Sequence, residues 1–271
     1  MHKATFFLST GRCGTQWLAH WLTEHYADLI EVTHEPLHNN YQSRQLLSTS
    51  NAMQSAQVKE HLARIEQILE HRPYVEVGHP CWGAIPHLIK HFRDHIRIVQ
   101  LVRHPVTTSY SWLTHGAYQP PLLPHIPEKV LLSPFDKGVQ FPEYQNGWQC
   151  LTPFEKALYF WTELHTLGKR LEKESCVPWL KISYEALFQG NDLNKLTAFL
   201  DLPAPSQDLS QARETVVDKF HYLSNSWSDW TTINRHQHCL KLAEHLGYTL
   251  TEINERDLAK RYLGITPSSN Q

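Results

Sequence analysis

The sequence predicts an α/β fold, with a central parallel sheet flanked by helices on both faces, on three observations. Short apolar runs rich in aromatic and β-branched residues, "ATFFLS", "IRIVQLV" and "VPWLKIS", alternate with stretches of helical period, a spacing that implies parallel strands joined by right-handed crossovers. "IRIVQLV" is continuous rather than alternating, as expected of a strand covered on both sides. The 271 residues suffice for one sizeable core and show no compositional break between halves, so the expectation is one domain over 1–271.

Taken in order, residues 4–9 read as a buried strand that enters a tight turn at Gly11 and Gly14. A helix follows from Gln16 to about His25, with Trp17, Leu18, Trp21 and Leu22 at helical spacing. "DLIEVTHEP" supplies a second strand stopped by Pro36, and residues 52–71 a long polar helix with Val58, Leu62, Ile65 and Leu69 on one face. "YVEVGHP" is the third strand. Pro86 suits the first turn of a helix reaching about Phe92, and after "IRIVQLV" another helix runs from about Val106 to His115. Residues 116–152 hold Pro120, Pro121, Pro124, Pro127, Pro134 and Pro142 and no sustained period, which predicts a long loop. Its aromatics, Tyr118, Phe135, Phe141, Tyr144 and Trp148, suit a lid that packs against a core or a ligand. Helix resumes near Pro153, "VPWLKIS" is a strand, "NDLNKLTAFLDL" a helix, and the last 40 residues read as helical.

Lys+Arg of 25 against Asp+Glu of 27 gives a net charge of -2, which excludes a general nucleic-acid coat or a polybasic membrane binder. Any anion site must be local. The five cysteines, Cys13, Cys81, Cys150, Cys176 and Cys239, form no CxxC pair and are odd in number, so neither a disulfide framework nor a zinc ribbon is expected. "ATFFLS" is too short and too soon interrupted for a signal peptide or membrane span, and the expectation is a cytoplasmic protein.

Ligands on doubly covered parallel sheets bind beyond the carboxyl ends of the strands. Thr10 to Thr15, His34 to Pro36, Gly78 to Pro80, Arg103 to Pro105 and Ser183 to Glu185 should therefore converge. In "STGRCGTQW", Gly11 and Gly14 let backbone amides approach a ligand, and the helix start adds oriented N–H groups and partial positive charge. Thr15 adds a hydroxyl and Arg12 a forked cation, a set suited to phosphate. The alternative is an ordinary strand-to-helix turn. A triphosphatase or P-loop kinase would need GxxxxGK[ST], but Gln16 and Trp17 stand where the lysine pair would fall, so magnesium is not indicated. A helix start can lower the pKa of Cys13, yet no arginine closes the loop after it as in a cysteine phosphatase. Arg103 ends the strongest strand and Ser111 lies eight residues on, which suggests a second phosphate site, against the alternative of a structural ion pair.

"GRCGTQWL" and "VRHPVTTSYSW" together resemble the two cofactor-binding motifs of the sulfotransferases that use 3′-phosphoadenosine 5′-phosphosulfate (PAPS). "WLKISYEALFQGNDLNKLTAFLDL" is similar to that family's strand and helix with a Tyr-Glu pair, and "LAEHLGY" to a common bacterial ending. The resemblance implies a P-loop-like three-layer sandwich without a metal. It implies that Gly11, Arg12, Cys13, Gly14, Thr15 and Gln16 hold the 5′-phosphosulfate, with Arg12 where many members have lysine, and that Arg103 and Ser111 hold the 3′-phosphate, with Ser109 the choice in another register. Tyr184 would lie near the nucleotide. The implied reaction is in-line sulfuryl transfer to a hydroxyl acceptor, a small molecule or a glycan, with 3′-phosphoadenosine 5′-phosphate (PAP) as product.

Such transfer needs a base for the acceptor proton and positive charge on the departing oxygen. Glu35 in "VTHEP" resembles the acidic base of tyrosylprotein and some glycan sulfotransferases, with His34 beside it. His79 in "VGHP" resembles, more loosely, the histidine base of cytosolic members, although Val77 replaces the lysine expected two residues earlier. A histidine at about 6.5 needs little tuning, whereas a glutamate at about 4.3 must be raised. Both remain candidates. His87, His91 and His95 recur every four residues, as two imidazoles on one metal would, but no carboxylate completes the set and a solvated helix face is the reading preferred. Trp227 and Trp230 suit core packing or a nucleotide contact. A nucleotide-binding sensor or scaffold without turnover is the competing function, and a metal-dependent kinase the third.

Overall fold

The computed structural model describes residues 1–119, 131–205 and 228–262. Contacts divide them into two compact units: residues 1–103, 136–138 and 167–205 form the first, and 104–119, 131–135, 139–166 and 228–262 the second.

The first unit holds a five-stranded sheet of β1 (Ala4–Leu8), β2 (Glu31–His34), β3 (Tyr74–Val77), β4 (Ile96–Val102) and β5 (Trp179–Ser183). All neighbours pair in parallel, in the order β2-β3-β1-β4-β5. β1, β3 and β4 are buried along their whole length, which is why their sequences run without a polar face. β1 is central, with β3 beside it on one side and β4 on the other, so its carboxyl end is the topological switch point, the place where ligands of such sheets bind.

Side chains alternate across the sheet and divide its two coverings. On one face Phe7, Val75, Val77, Val99, Leu101 and Ile182 pack against Trp17, Leu18, Trp21 and Leu22 of α1 (Thr15–Tyr26), Leu187 of α7 (Tyr184–Phe188) and Leu193 and Leu196 of α8 (Leu193–Phe199). On the other, Phe6 meets Phe92 of α4 (Ile85–Phe92), ring centroids 5.8 Å apart, and His61 of α3 (Ala56–Leu69) reaches Glu76. Glu76 is buried on β3 but satisfied: Tyr41 and Tyr74 hydroxyls donate to it at 2.9 and 3.0 Å, and His61 Nε2 lies at 2.8 Å.

Several expectations shift in detail. The helix expected over 52–71 is two elements, a 3₁₀ turn at Asn51–Gln54 and then α3, because Ser55 caps α3 by accepting from Val58 N. A four-residue α2 (Ser43–Leu46) has no periodic signature in the sequence. α4 ends at Phe92, where Arg93 takes a φ of 51°, so His95 lies on a separate 3₁₀ turn and the expected row of three histidines on one helix does not form. His91 instead faces Glu66 at 2.9 Å, and His87 Nε2 lies 3.3 Å from the Leu46 carbonyl. Among the described residues no group of three or more metal-ligating side chains gathers.

The second unit contains α5 (Pro105–Leu113), residues 153–166 of α6 (Pro153–Ser175), α9 (Gln237–His245) and α10 (Glu255–Tyr262). Tyr110 stacks on Tyr262 at 5.2 Å and packs on Phe154 at 5.0 Å. In the described parts of the expected lid, 116–119 and 131–152, the only regular structure is two 3₁₀ turns, Pro142–Gln145 and Trp148–Cys150. Tyr118 packs on Trp148, Tyr144 on Tyr159 and His236, and Phe141 on His238, while Phe135 is exposed. The Glu163 carboxylate accepts from Gln140 and Phe141 amides, and Glu155, His236 and Tyr144 form a hydrogen-bonded row. Trp230 is half-buried in a 3₁₀ turn. Pro120, Pro121, Pro124, Pro127 and Trp227 lie outside the described residues.

Candidate functional site

The loop leaving β1 is built for close backbone approach. Gly11, Arg12 and Gly14 have φ of 74°, 58° and 76°, and Gly14 caps α1, its carbonyl accepting from Leu18 N at 3.0 Å. A Cβ on Gly14 would lie 2.8 Å from Phe188 Cε2 and 3.2 Å from Tyr184 Cε2, so the residue must be glycine for space as well as for φ. Thr15 opens α1 and Gln16, next to it, is exposed. The first N–H groups of α1 and its dipole give this turn the chemistry that favours an anion.

Cys13 departs from expectation. Its side chain is wholly buried, with Sγ donating to the Gly11 carbonyl at 3.1 Å and lying 3.4 Å from Thr10 Oγ1. Burial pushes its pKa up to about 11, outweighing the Thr10 hydrogen bond and the charges of Arg103 and Arg12. The helix-start effect loses to desolvation, and the thiol fastens the loop from inside.

Arg103, at the end of β4, reaches this loop. Its Nη1 donates to the Arg12 carbonyl at 2.7 Å, and its guanidinium lies 4.4 Å from the centre of the Tyr184 ring. Tyr184 opens α7 after Ser183, whose hydroxyl caps the helix by accepting from Ala186 N. One turn on, Phe188 packs on Tyr184 at 4.5 Å and on Trp17 at 4.6 Å. Phe188 went unnoticed in the sequence, although its i,i+4 spacing from Tyr184 is a usable sign. Ser111 and Ser109 lie on α5, buried, in the second unit.

Glu35 and His79 are a bonded pair. Register places His34 of β2 opposite Val77 of β3, which sets the residues that follow, Glu35 and Gly78, side by side. A Cβ on Gly78 would lie 2.5 Å from Glu35 Cγ, so the carboxylate occupies the space a side chain would fill. Glu35 Oε1 then lies 2.9 Å from His79 Nδ1 and accepts from His79 N at 3.3 Å, with Glu35 itself at a φ of 48°. Burial alone would raise the Glu35 pKa; the His79 charge and hydrogen bonds and His34 reverse that and hold it at about 2. Glu35 is ionised at neutral pH, and the same depression makes it a weak proton acceptor there.

His34 Nε2 lies 3.3 Å from Thr15 Oγ1 and 3.8 Å from Glu35 Oε1. The turn carrying His79 is fixed from behind by Ser43 of α2, whose buried hydroxyl donates to the Pro80 carbonyl and accepts from Gly83 N. All five strand ends expected to converge are thus linked by contacts within the first unit: β1 to β2 through Thr15 and His34, β2 to β3 through Glu35 and His79, and β4 to β1 and β5 through Arg103.

Comparison with solved structures gives the same architecture. The sulfotransferase domain from the curacin biosynthetic pathway superposes with a TM-score of 0.51 at 14% identity, over 92% of this chain and 99% of that one. A sulfotransferase from Alicyclobacillus acidocaldarius gives 0.51 at 13% identity, over 93% and 98%. Among curated proteins no sequence matches significantly. No helix of the described residues is long and apolar enough to cross a membrane. The family profile described as the sulfotransferase domain matches residues 2–239, and with that match over most of its length the chain belongs to the sulfotransferase family.

Proposed function

We propose that this sulfotransferase takes its sulfuryl group from PAPS and delivers it to a hydroxyl acceptor, small molecule or glycan, with His79 as general base and Glu35 as its orienting partner. The observation that supports the reading is the Arg103 guanidinium donating to the Arg12 carbonyl, which ties the strand-end arginine, expected at a second phosphate site, to the glycine loop after β1. The donor chemistry fits a nucleotide carrying anions at both ends: positive-φ glycines and a helix start at one point, two arginines, and an aromatic ring at Tyr184.

Gly11, Arg12, Cys13 through its backbone, Gly14, Thr15 and Gln16 hold the 5′ end, Arg103 the 3′-phosphate, and Tyr184 lies beside the nucleotide. When bound, the nucleotide supplies an activated sulfuryl group on its 5′-phosphate. Arg12 and the start of α1 stabilise negative charge on the departing oxygen. His79 accepts the acceptor's hydroxyl proton at Nε2, the ring nitrogen that Glu35 does not engage, while Glu35, held ionised, keeps Nδ1 as the N–H and offsets the imidazolium charge. This assigns the two base candidates to one pair, with His79 the group that moves the proton.

The test is turnover of radiolabelled PAPS on a panel of phenols and glycans, with PAP affinity measured separately. H79Q is expected to bind PAP within about twofold of wild type and to lose turnover by about 10²–10⁴, the span of one general base. PAP binding by wild type without turnover on any acceptor would favour the sensor or scaffold. A requirement for magnesium and a γ-phosphate would mark a kinase.

A further inference from the structure

His34 is the side chain at this site that no expectation assigned a task. Its imidazole, one-third exposed, ends β2 with Nε2 3.3 Å from Thr15 Oγ1 and 3.8 Å from Glu35 Oε1, and that same Oε1 is 2.9 Å from His79 Nδ1. Thr15, His34, Glu35 and His79 form an unbroken row from the start of α1 to the base.

A threonine hydroxyl carries one proton and two lone pairs. Spent on His34, that proton would leave lone pairs facing any anion at the start of α1. With the roles reversed, Nε2–H donates to Oγ1 and the threonine proton is released toward the anion. We propose that His34 is a positioning residue for nucleotide binding, its Nε2–H donating to Thr15 Oγ1 so that the Thr15 hydroxyl is presented as a donor to the 5′ end of the nucleotide. The inference rests on the nucleotide reading given above. Burial lowers the His34 pKa; Glu35 opposes this, and His79 and His38, the other groups facing it, add to it. Whether neutral with the proton on Nε2 or charged, the ring offers an N–H to Oγ1.

The test is calorimetric titration of PAP into wild type, H34A, H34Q, H34N, T15A and the H34A/T15A double variant, with a urea midpoint for each. Glutamine carries its amide where Nε2 lies, whereas asparagine reaches only as far as Nδ1. H34A and T15A are each expected to weaken PAP binding about five- to tenfold, the worth of roughly one net hydrogen bond. H34Q should recover most of the loss and H34N little, and the double variant should bind no more weakly than T15A alone. Losses that multiply in the double variant, or equal rescue by asparagine and glutamine, would overturn the link and leave the nucleotide reading standing. Wild type that fails to bind PAP would overturn that reading and the link with it. Should H34A fold poorly, the contrast between H34Q and H34N decides alone.

Discussion

Replacing Glu35 by glutamine keeps its shape and removes its charge, so it isolates the electrostatics of the Glu35–His79 pair. The folded protein holds Glu35 at about 2, below its ordinary 4.5, and that gap corresponds to about 3 kcal/mol in favour of the ionised form. A carboxylate whose folded value is depressed contributes its full stability above the unfolded value and loses it as the pH falls toward the folded one. Between pH 4.5 and about 2 the unfolded chain therefore binds a proton that the native chain does not, and wild type loses about 1.4 kcal/mol per pH unit from this group across that interval. Glutamine has no such slope. Urea midpoints for wild type and E35Q, taken at half-unit steps from pH 7 to pH 3, should differ more at pH 5 than at pH 3, converging by about 2 kcal/mol over that interval. A difference independent of pH would mean that Glu35 gains nothing from His79 when folded, and the ionised-partner role would fall with it. Turnover near neutral pH should drop in E35Q by about 10²–10³ with PAP affinity retained, since a misoriented base cannot use its intrinsic strength.

Gly14→Ala combines a left-handed φ of 76° with a Cβ 2.8 Å from Phe188. The backbone penalty alone is about 1–2 kcal/mol, visible in the urea midpoint, and PAP affinity should fall with it; adding F188A should relieve the clash and leave the backbone cost. Arg103→Lys keeps a cation but loses the fork that spans the Arg12 carbonyl and the Tyr184 ring. It should weaken PAP binding by about tenfold, a charge-assisted hydrogen bond's worth, and 5′-AMP binding distinctly less; equal losses for the two ligands would separate Arg103 from the 3′-phosphate.

Much of this architecture was legible in the sequence because strand and turn chemistry are local. The apolar runs, the glycines after β1 and Pro36 after β2 mark strand ends directly, and topology alone then gathers those ends at one edge of the sheet. Pairings that depend on register were not legible. Glu35 and His79 stand 44 residues apart and read as rival bases, whereas the alignment of β2 with β3 makes them partners. Cys13 sits at a helix start that ought to favour its thiolate, yet its burial is a property of the packed loop and outweighs the dipole. α2 has too few residues to show a period, and the hold of Ser43 on the His79 turn rests on a backbone approach that no spacing reveals.

The bare backbone at position 78 makes the proposed proton-handling pair vulnerable from outside itself. Because Glu35 Cγ already fills the volume where a methyl group would project, the smallest possible enlargement there would act as a wedge, driving acid and imidazole apart without altering either. Chemistry of this kind can be silenced, in nature or by an engineer, at a residue that has no functional group of its own.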